Sequence, residues 1–431
     1  MTIKYKKFTH RSVYIRMLAR INYASFYLRF KYLIRYVFNF VRESSFRTFC
    51  RKYTMLFFYF FKNTFHMIFR EGKKINIIKI DDYKHKHILK SPKGVKFIVL
   101  EKTNIIGKTS GIWNENTLII SNFYNLNTMR IAEESYPYNL SLKDNVISTN
   151  KSFFKLIKLK QMFNNSNYFS ISLCAATSNN YAHWITESLP MLNYIIDYLS
   201  SQKKQIVVYV DEFLHKNIIE TLNIFLTNSN VIKFIFVMPY ESIAVKKLIT
   251  VDGLSKIPLD LKGDRKFINS FKDWYFNHKA LNLLVDKLDS NIESIDTNNL
   301  KKVFLLRTSA YRNLVNQKEL ANLAKKLGYT VLNLYTLSFK EQYLLFKNVE
   351  VVISPIGASL VNIIFNKKKC KVYIMCNKYW TNLHYWDALL KPYTSKITYI
   401  DSTKQISKKS SRHGNFFVNI NKFKKIIMGS S

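Results

Sequence analysis

The chain has 431 residues, 48% of them apolar and 15% aromatic, with 67 Lys and Arg against 28 Asp and Glu, a formal net charge of +39. That length exceeds one ordinary core and points to two domains with ample apolar residues to fill them. Cys50, Cys174, Cys370 and Cys376 form no C-x-x-C pair, which excludes a disulfide framework and reads most simply as reduced cytoplasmic thiols. Lys, Asn, Ile, Tyr and Phe are abundant throughout, so the charge is discounted as evidence beyond compatibility with anionic partners: lipid head groups, nucleotide-sugars or nucleic acid.

Residues 1–74 form a basic, aromatic extension with very few acids. On a helical wheel Arg16, Arg20, Tyr27, Lys31, Arg35 and Arg42 fall on one side, with Leu18, Ile21, Tyr32, Tyr36 and Phe40 toward the other, the pattern of an interfacial helix. The apolar run Met55 to Phe61, closed by Lys52 and Lys62, falls far short of the roughly 20 residues needed to span a bilayer. Arg16 and Arg20 interrupt any signal-peptide core. The expectation is a peripheral anchor on an anionic cytoplasmic leaflet, where each nearby Lys or Arg contributes about 1 kcal/mol. The alternatives are an extra helical layer on the domain or a nucleic-acid-binding arm.

From Ile75 to about Asn150 the runs are short and β-rich: Ile75 to Ile80, Lys96 to Glu101 and Thr117 to Asn122, with turns at Lys93-Gly94 and Asn114 to Asn116. This reads as a small sheet attached to the first domain, and Asp81-Asp82 within it as a turn. Tyr168 to Cys174 reads as a buried strand that ends in the loop Thr177 to Asn180. A helix follows from near Tyr181, with Pro190 limiting or kinking it. Strands at Gln205 to Val210, Val231 to Val237 and Ala244 to Val251, with a helix over Asp211 to Leu226, complete one α/β unit. Arg265 to Asp289 reads as helical, and the polar Asn291 to Asn299 stretch marks the boundary. The domains are thus expected over residues 75–290 and 291–431.

In the second domain Lys302 to Leu306, Tyr329 to Leu334, Val351 to Ser354 and Val372 to Met375 read as buried strands. Asn316 with Glu319, and Ser338 with Glu341, carry the capping-box spacing before two helices, and Gly328 ends the first. Strand alternating with helix gives a parallel sheet covered on both faces, an α/β fold. The tail from Lys404 is polar and basic and reads as surface.

Ligands in such sheets lie at the carboxyl ends of the strands. Arg307 and Arg312 flank the loop after the first strand of the second domain, and guanidinium forks make charge-assisted bonds to phosphate. Gly357, Ala358 and Ser359 let a ligand approach backbone N–H groups at a helix start, where the dipole favours an anion. In the first domain His183 and Glu187, four apart, project from one helix face.

The combination resembles glycosyltransferase family 61, which includes capsular-polysaccharide-type bacterial enzymes. The resemblance rests on Arg307, Arg312, Leu314 and Asn316, on Leu337, Ser338, Glu341 and Gln342, and on Gly357, Ala358, Leu360, Asn362 and Phe365. Upstream it takes in Asn180, Tyr181, His183, Trp184, Glu187, Leu189 and Pro190. The family pattern usually has histidine where this chain has Ile356, a second glycine where it has Ser359, and an arginine where Thr308 follows Arg307. The resemblance implies a GT-B-like architecture, two Rossmann-like domains facing across a cleft. It also implies a donor site of Arg307, Arg312, Asn316, Glu341, Gln342, Gly357, Ala358, Ser359 and Asn362, and an acceptor side of Asn180, Tyr181 and Trp184.

The expected activity is inverting transfer of a sugar from a nucleotide-sugar to a glycan or lipid-linked acceptor in cell-surface polysaccharide synthesis, cytoplasmic and peripheral on the inner membrane face. His183 is the expected base, a role worth about 10² to 10⁴ in rate, with Glu187 orienting it or binding the acceptor. No D-x-D motif or metal-ligand histidine spacing accompanies the site, so no metal or other cofactor is expected. Two alternatives stand beside this reading. The departures at Ile356 and Ser359 fit a member that binds glycan or nucleotide with weakened catalysis. The charge fits a nucleic-acid-binding protein, ranked last because no nucleic-acid motif accompanies it.

Overall fold

A computed structural model describes residues 72–89, 95–107, 111–114, 117–120, 140–143, 146–150, 168–175, 178–211, 214–226, 231–237, 242–252, 254–256, 275–293, 300–309, 312–377, 383–402, 404–405 and 414–429. The interfacial helix expected before residue 72, the apolar run Met55 to Phe61 and most of the boundary stretch lie outside those residues. Among the described residues no helix is long and apolar enough to cross a membrane.

Two sheets carry the chain. The larger holds β1 (Gly72–Lys79), β2 (Lys86–Leu89), β3 (Lys96–Ile106), β4 (Ile112–Asn114), β5 (Thr117–Ile120), β6 (Leu140–Lys143), β7 (Val146–Asn150), β8 (Tyr168–Ser172), β9 (Gln205–Asp211), β10 (Val231–Val237) and β11 (Ser242–Asp252). Their order is β10-β9-β8-β11-β3-β4-β5-β1-β7-β6, with β2 also on β3. β8, β9, β10 and β11 are parallel, while β11 runs antiparallel to β3 from Ser242 opposite Ile106 to Asp252 opposite Lys96. The β-rich segment is therefore not a separate small sheet. The long β3–β11 ladder fuses it to the α/β unit, and β1 begins at Gly72, inside the segment expected to be extension. Asp81 and Asp82 lie in a single 3₁₀ turn, with Lys96 Nζ 3.2 Å from Asp81.

A continuous helix over residues 181–201 (α1) links β8 to β9. It comprises an α turn at Tyr181–His183, a π segment at Trp184–Ser188 and an α segment at Leu189–Ser201. Pro190 has no N–H to give to the carbonyl four residues back, yet the helix does not stop. The π segment directly before it closes instead through the Leu189 N–H and the Trp184 carbonyl. α2 (Lys216–Leu226) follows β9, which extends through Asp211 into the stretch expected to be helical. β12 (Ser255–Lys256) pairs with β13 (Tyr275–Phe276), and α3 (His278–Asn291) starts where the Asn277 side chain accepts from the Ala280 N–H at 3.1 Å.

The second sheet contains β14 (Lys302–Leu305), β15 (Thr330–Leu332), β16 (Val351–Pro355), β17 (Cys370–Cys376) and β18 (Thr394–Asp401), all parallel, in the order β15-β14-β16-β17-β18. This is the 2-1-3-4-5 doubly wound order, whose switch point lies between β14 and β16. The crossovers are α4 (Gln317–Lys326), α5 (Phe339–Asn348), a 3₁₀ helix at Ala358–Phe365, and α6 (Leu383–Leu390). α4 ends at Gly328, which takes φ +81°, a left-handed conformation that lets the Tyr329 N–H turn back to the Ala324 carbonyl.

The described part of the tail is not simply the surface segment expected. Phe416 pairs within β20 (Phe416–Phe417) against β19 (Lys404–Gln405), and α7 (Ile420–Met428) follows. Phe416, Val418 and Phe423 are fully buried against Phe304, Leu320 and Ala324. A polar average over the tail conceals these spaced aromatic anchors.

The apolar core is continuous between the two units. Trp184, Ile185 and Leu189 of α1 share it with Leu284 and Leu288 of α3, Phe339 and Phe346 of α5, and Phe365. α3 adds polar ties to the second unit. Asp289 accepts from the Tyr343 hydroxyl at 2.6 Å and Lys347 at 2.5 Å, with Lys367 Nζ 2.7 Å from its other oxygen. Cys174, Cys370 and Cys376 are buried thiols.

Candidate functional site

The chain leaves β14 at Leu306 and Arg307, beside the switch point. The Arg307 main chain is held on both sides by Gln317, the first residue of α4. Its N–H donates to Gln317 Oε1 at 2.7 Å, and its carbonyl accepts from Gln317 Nε2 at 3.4 Å. Across the switch point, Arg307 Nη1 donates to the Ile356 carbonyl at 3.1 Å. The guanidinium thus lies directly against Gly357: a Cβ added there would sit 2.1 Å from Nη1 and 3.4 Å from Cζ. Gly357 has an extended backbone, φ 173° and ψ 177°, so close approach rather than conformation calls for glycine. Half-buried Ala358 and Ser359 open the following helix, which is 3₁₀ rather than α.

Arg312 takes φ +59°, the left-handed region that non-glycine residues seldom adopt. The loop around it is stitched to the C-terminal segment. Asn313 N–H donates to Asn415 Oδ1 at 2.9 Å, and the Val315 N–H and Asn313 carbonyl bond the Phe416 main chain at 2.9 and 3.0 Å. Asn316 does not close the expected capping box. Its side chain instead donates to the Val418 carbonyl at 2.8 Å and accepts from the Val418 N–H at 3.3 Å. Asn316 therefore anchors the tail. Asn415 and Phe416 have no functional signal in the sequence, since only folding brings them to this loop.

In the first unit the loop after β8 is tied down by the Ala175 N–H, which donates to buried Asp211 Oδ2 at 2.9 Å. Exposed Asn180 starts α1 by accepting from the Ala182 N–H at 3.1 Å. His183 Nδ1 and Glu187 Oε1 are 2.5 Å apart, with side chains 14% and 31% exposed, an ordered pair still open to solvent. The pair straddles the start of the π segment, a local irregularity often found at functional sites. Glu187 also neighbours Tyr385 of α6: burial, and then the Glu187 charge, push the Tyr385 phenol well up, while a hydrogen bond with Thr186 works the other way. Tyr385 was missed because nothing in its local sequence sets it apart.

Trp184 faces away from this pair. It is fully buried, and its Nε1 donates to Thr221 at 2.9 Å, so it cannot stack on an acceptor sugar. An i to i+1 step on a helix turns side chains by roughly 100°, which leaves His183 partly exposed and sends Trp184 to the core.

The first turn of α1 packs on the 3₁₀ helix. There the Tyr181 hydroxyl donates to Asn362 Oδ1 at 2.6 Å, Asn362 Nδ2 donates to Gln342 Oε1 at 2.9 Å, and Gln342 Nε2 donates to the Leu334 and Leu337 carbonyls at 2.8 and 3.3 Å. Asn362 is fully buried and Gln342 is 4% exposed. These three residues, expected as donor and acceptor contacts, are hydrogen-bonded to one another. Glu341 completes the capping box with Ser338: its carboxylate accepts from the Ser338 N–H at 2.6 Å, and Ser338 Oγ accepts from the Glu341 N–H at 3.2 Å. The hydrogen bonds from Ser338 hold the Glu341 carboxyl below its usual range. The same helix start receives a second carboxylate from the other unit, Glu220 of α2, which accepts from the Phe339 and Lys340 N–H groups at 2.7 and 3.0 Å.

The structure therefore brings His183, Glu187, Tyr181 and the 3₁₀ helix behind Gly357 together, and the Arg307 guanidinium reaches from the loop after β14 to the Ile356 carbonyl and Gly357 just before that helix. Among the described residues no group of three or more His, Cys, Asp or Glu side chains is arranged to hold a metal ion.

The family described as Glycosyltransferase 61 matches residues 181–373, from the first residue of α1 to the middle of β17. No curated protein matches the chain.

Proposed function

From the premise that residues 181–373 place this chain among the family 61 glycosyltransferases, we propose an inverting transfer that needs no metal, run in a GT-B-like crevice between the two α/β units. The family implies transfer of a sugar from a nucleotide-sugar to a glycan acceptor. One observation supports the finer reading: the His183–Glu187 pair stands on α1, the Gly357 loop against which Arg307 lies opens the 3₁₀ helix, and those two helices touch through Tyr181 and Asn362.

Glu187 opposite Nδ1 favours the tautomer with the proton on that nitrogen, which makes Nε2 the atom able to accept one. An acceptor hydroxyl oxygen attacks the anomeric carbon and its proton passes to His183 Nε2. The bond from that carbon to the diphosphate oxygen breaks on the opposite face. The nucleoside diphosphate leaves with the electron pair, and Arg307 with the N–H groups at Ala358 and Ser359 receives its growing charge. A charge-assisted bond of this kind contributes about 1.5 to 3 kcal/mol. The setting we propose is the cytoplasmic face of a membrane, held there by the basic segment before residue 72, in cell-surface glycan synthesis.

Ile356 favours a second reading. Its side chain is buried in the core where the family pattern has an imidazole, so this chain brings one fewer polar group to the cradle. A member that binds but does not transfer fits that difference. Thermal shift with UDP, GDP, CDP and dTDP, then incubation with the matching nucleotide-sugars, separates the two. Stabilisation lost in Arg307→Ala together with donor turnover supports the transferase, and stabilisation without turnover of any donor supports the binding member. No stabilisation by any of the four would sink both.

A further inference from the structure

We propose that Tyr181, Asn362 and Gln342 form a positioning relay that sets where His183 stands relative to the Gly357 loop; the inference rests on the function proposed above. Tyr181 lies two residues before His183 on α1, and Asn362 lies five residues after Gly357 on the 3₁₀ helix. The 2.6 Å bond between them joins the element carrying the base to the element carrying the phosphate cradle.

The direction of each bond matters. Asn362 uses its oxygen toward Tyr181 and its nitrogen toward Gln342, and Gln342 uses its oxygen toward Asn362 and its nitrogen toward the Leu334 and Leu337 carbonyls. Turning either amide over would set nitrogen against nitrogen or oxygen against oxygen, so the series has one low-energy arrangement. Leu360, Ile363, Phe339 and Ile185 in the surrounding core make only non-directional contacts. Apolar packing holds α1 against the 3₁₀ helix but tolerates small sliding, whereas a buried polar series fixes the register. In group transfer this precision counts, because a misplacement of about 1 Å can lower the rate about 100-fold. The relay residues touch neither substrate and act through His183 and the cradle.

The test replaces Tyr181 by Phe, which removes one hydroxyl and keeps the ring. Its control is Tyr343→Phe, which removes another hydroxyl bonded between the units, to Asp289 at 2.6 Å, away from the His183 pair. Full-length wild type and both variants are titrated with the nucleoside diphosphate that stabilises wild type, following the ¹⁵N-labelled imidazole of His183 by NMR, and turnover is measured with the corresponding nucleotide-sugar. We expect both variants to melt a few degrees lower and to bind the diphosphate within about twofold of wild type. Only Tyr181→Phe should lose most of the diphosphate-induced shift of His183, with kcat falling about 10- to 100-fold and KM little changed. A full His183 shift and unchanged kcat in Tyr181→Phe overturn the relay, as does an equal kcat loss in Tyr343→Phe, which would mark a general effect of stability. Failure of wild type to bind any nucleoside diphosphate is a different result: it refutes the donor cradle itself, and the relay falls with it.

Discussion

Replacing Gly357 by Ala tests the cradle through one atom. The new Cβ would stand 2.1 Å from Arg307 Nη1, inside the 3.0 Å that real Cβ contacts respect, while the backbone at Gly357 is extended and accepts alanine. Because the clash is with the tip of a flexible side chain, the guanidinium swings away and the fold absorbs little strain. The swing removes the 3.1 Å bond to the Ile356 carbonyl and takes the charge off the switch point. Loss of one charge-assisted bond to phosphate costs about 1.5 to 3 kcal/mol, so affinity for a nucleoside diphosphate should fall about 10- to 100-fold with a near-normal melting temperature. Calorimetric titration of wild type, Gly357→Ala, Arg307→Ala and the double variant closes a double-mutant cycle. Since the alanine acts through Arg307, it should cost little more once Arg307 is gone. Additive losses, or wild-type affinity in Gly357→Ala, would refute the reasoning.

His183→Ala should lower transfer about 10²- to 10⁴-fold while leaving diphosphate affinity intact, which single-turnover kinetics beside a binding titration would show. Glu220→Ala leaves the Phe339 and Lys340 N–H groups without their carboxylate, and should cost about 1 to 2 kcal/mol in denaturant unfolding. Asp289 gives a pH signature. Burial pushes its carboxyl up, but hydrogen bonds from Lys347, Lys367 and Tyr343 more than offset this and bring it from 3.8 to about 2. A depressed folded pKa contributes stability that is full above the unfolded value and is lost as pH falls from about 4 toward 2. Partial solvent screening leaves about 1 to 2 kcal/mol. Asp289→Asn should lose that amount at neutral pH and unfold with a flatter dependence between pH 4 and 2, as followed by circular dichroism.

Some of this site was legible before folding. The Ser338–Glu341 capping box forms as its spacing predicts, Gly328 ends its helix in the left-handed conformation, and four of the five strands of the second sheet lie within a residue or two of where their apolar runs put them, the fifth, β18, having gone unread. These are local matters, decided within four or five residues along the chain. Asn316 shows where that reasoning fails. Its spacing to Glu319 also suits a capping box, yet its side chain bonds Val418, a partner 102 positions away that no local pattern reveals. The tail failed for a related reason, because three spaced aromatic and aliphatic anchors, Phe416, Val418 and Phe423, disappear in an average dominated by lysine and serine.

Residue types and periodicity alone predicted the parallel α/β sheet of the second half, and with the family resemblance they singled out His183, Glu187, Arg307 and Gly357 as candidate groups. Burial runs and helix caps are written along the chain in single turns, so they survive without three-dimensional knowledge. Which way each polar side chain turns was decided only in the tertiary structure. Trp184 went to the core, Asn362 and Gln342 to each other, and Tyr181 across to the second unit, because a buried donor or acceptor takes whichever partner the packing of distant elements delivers.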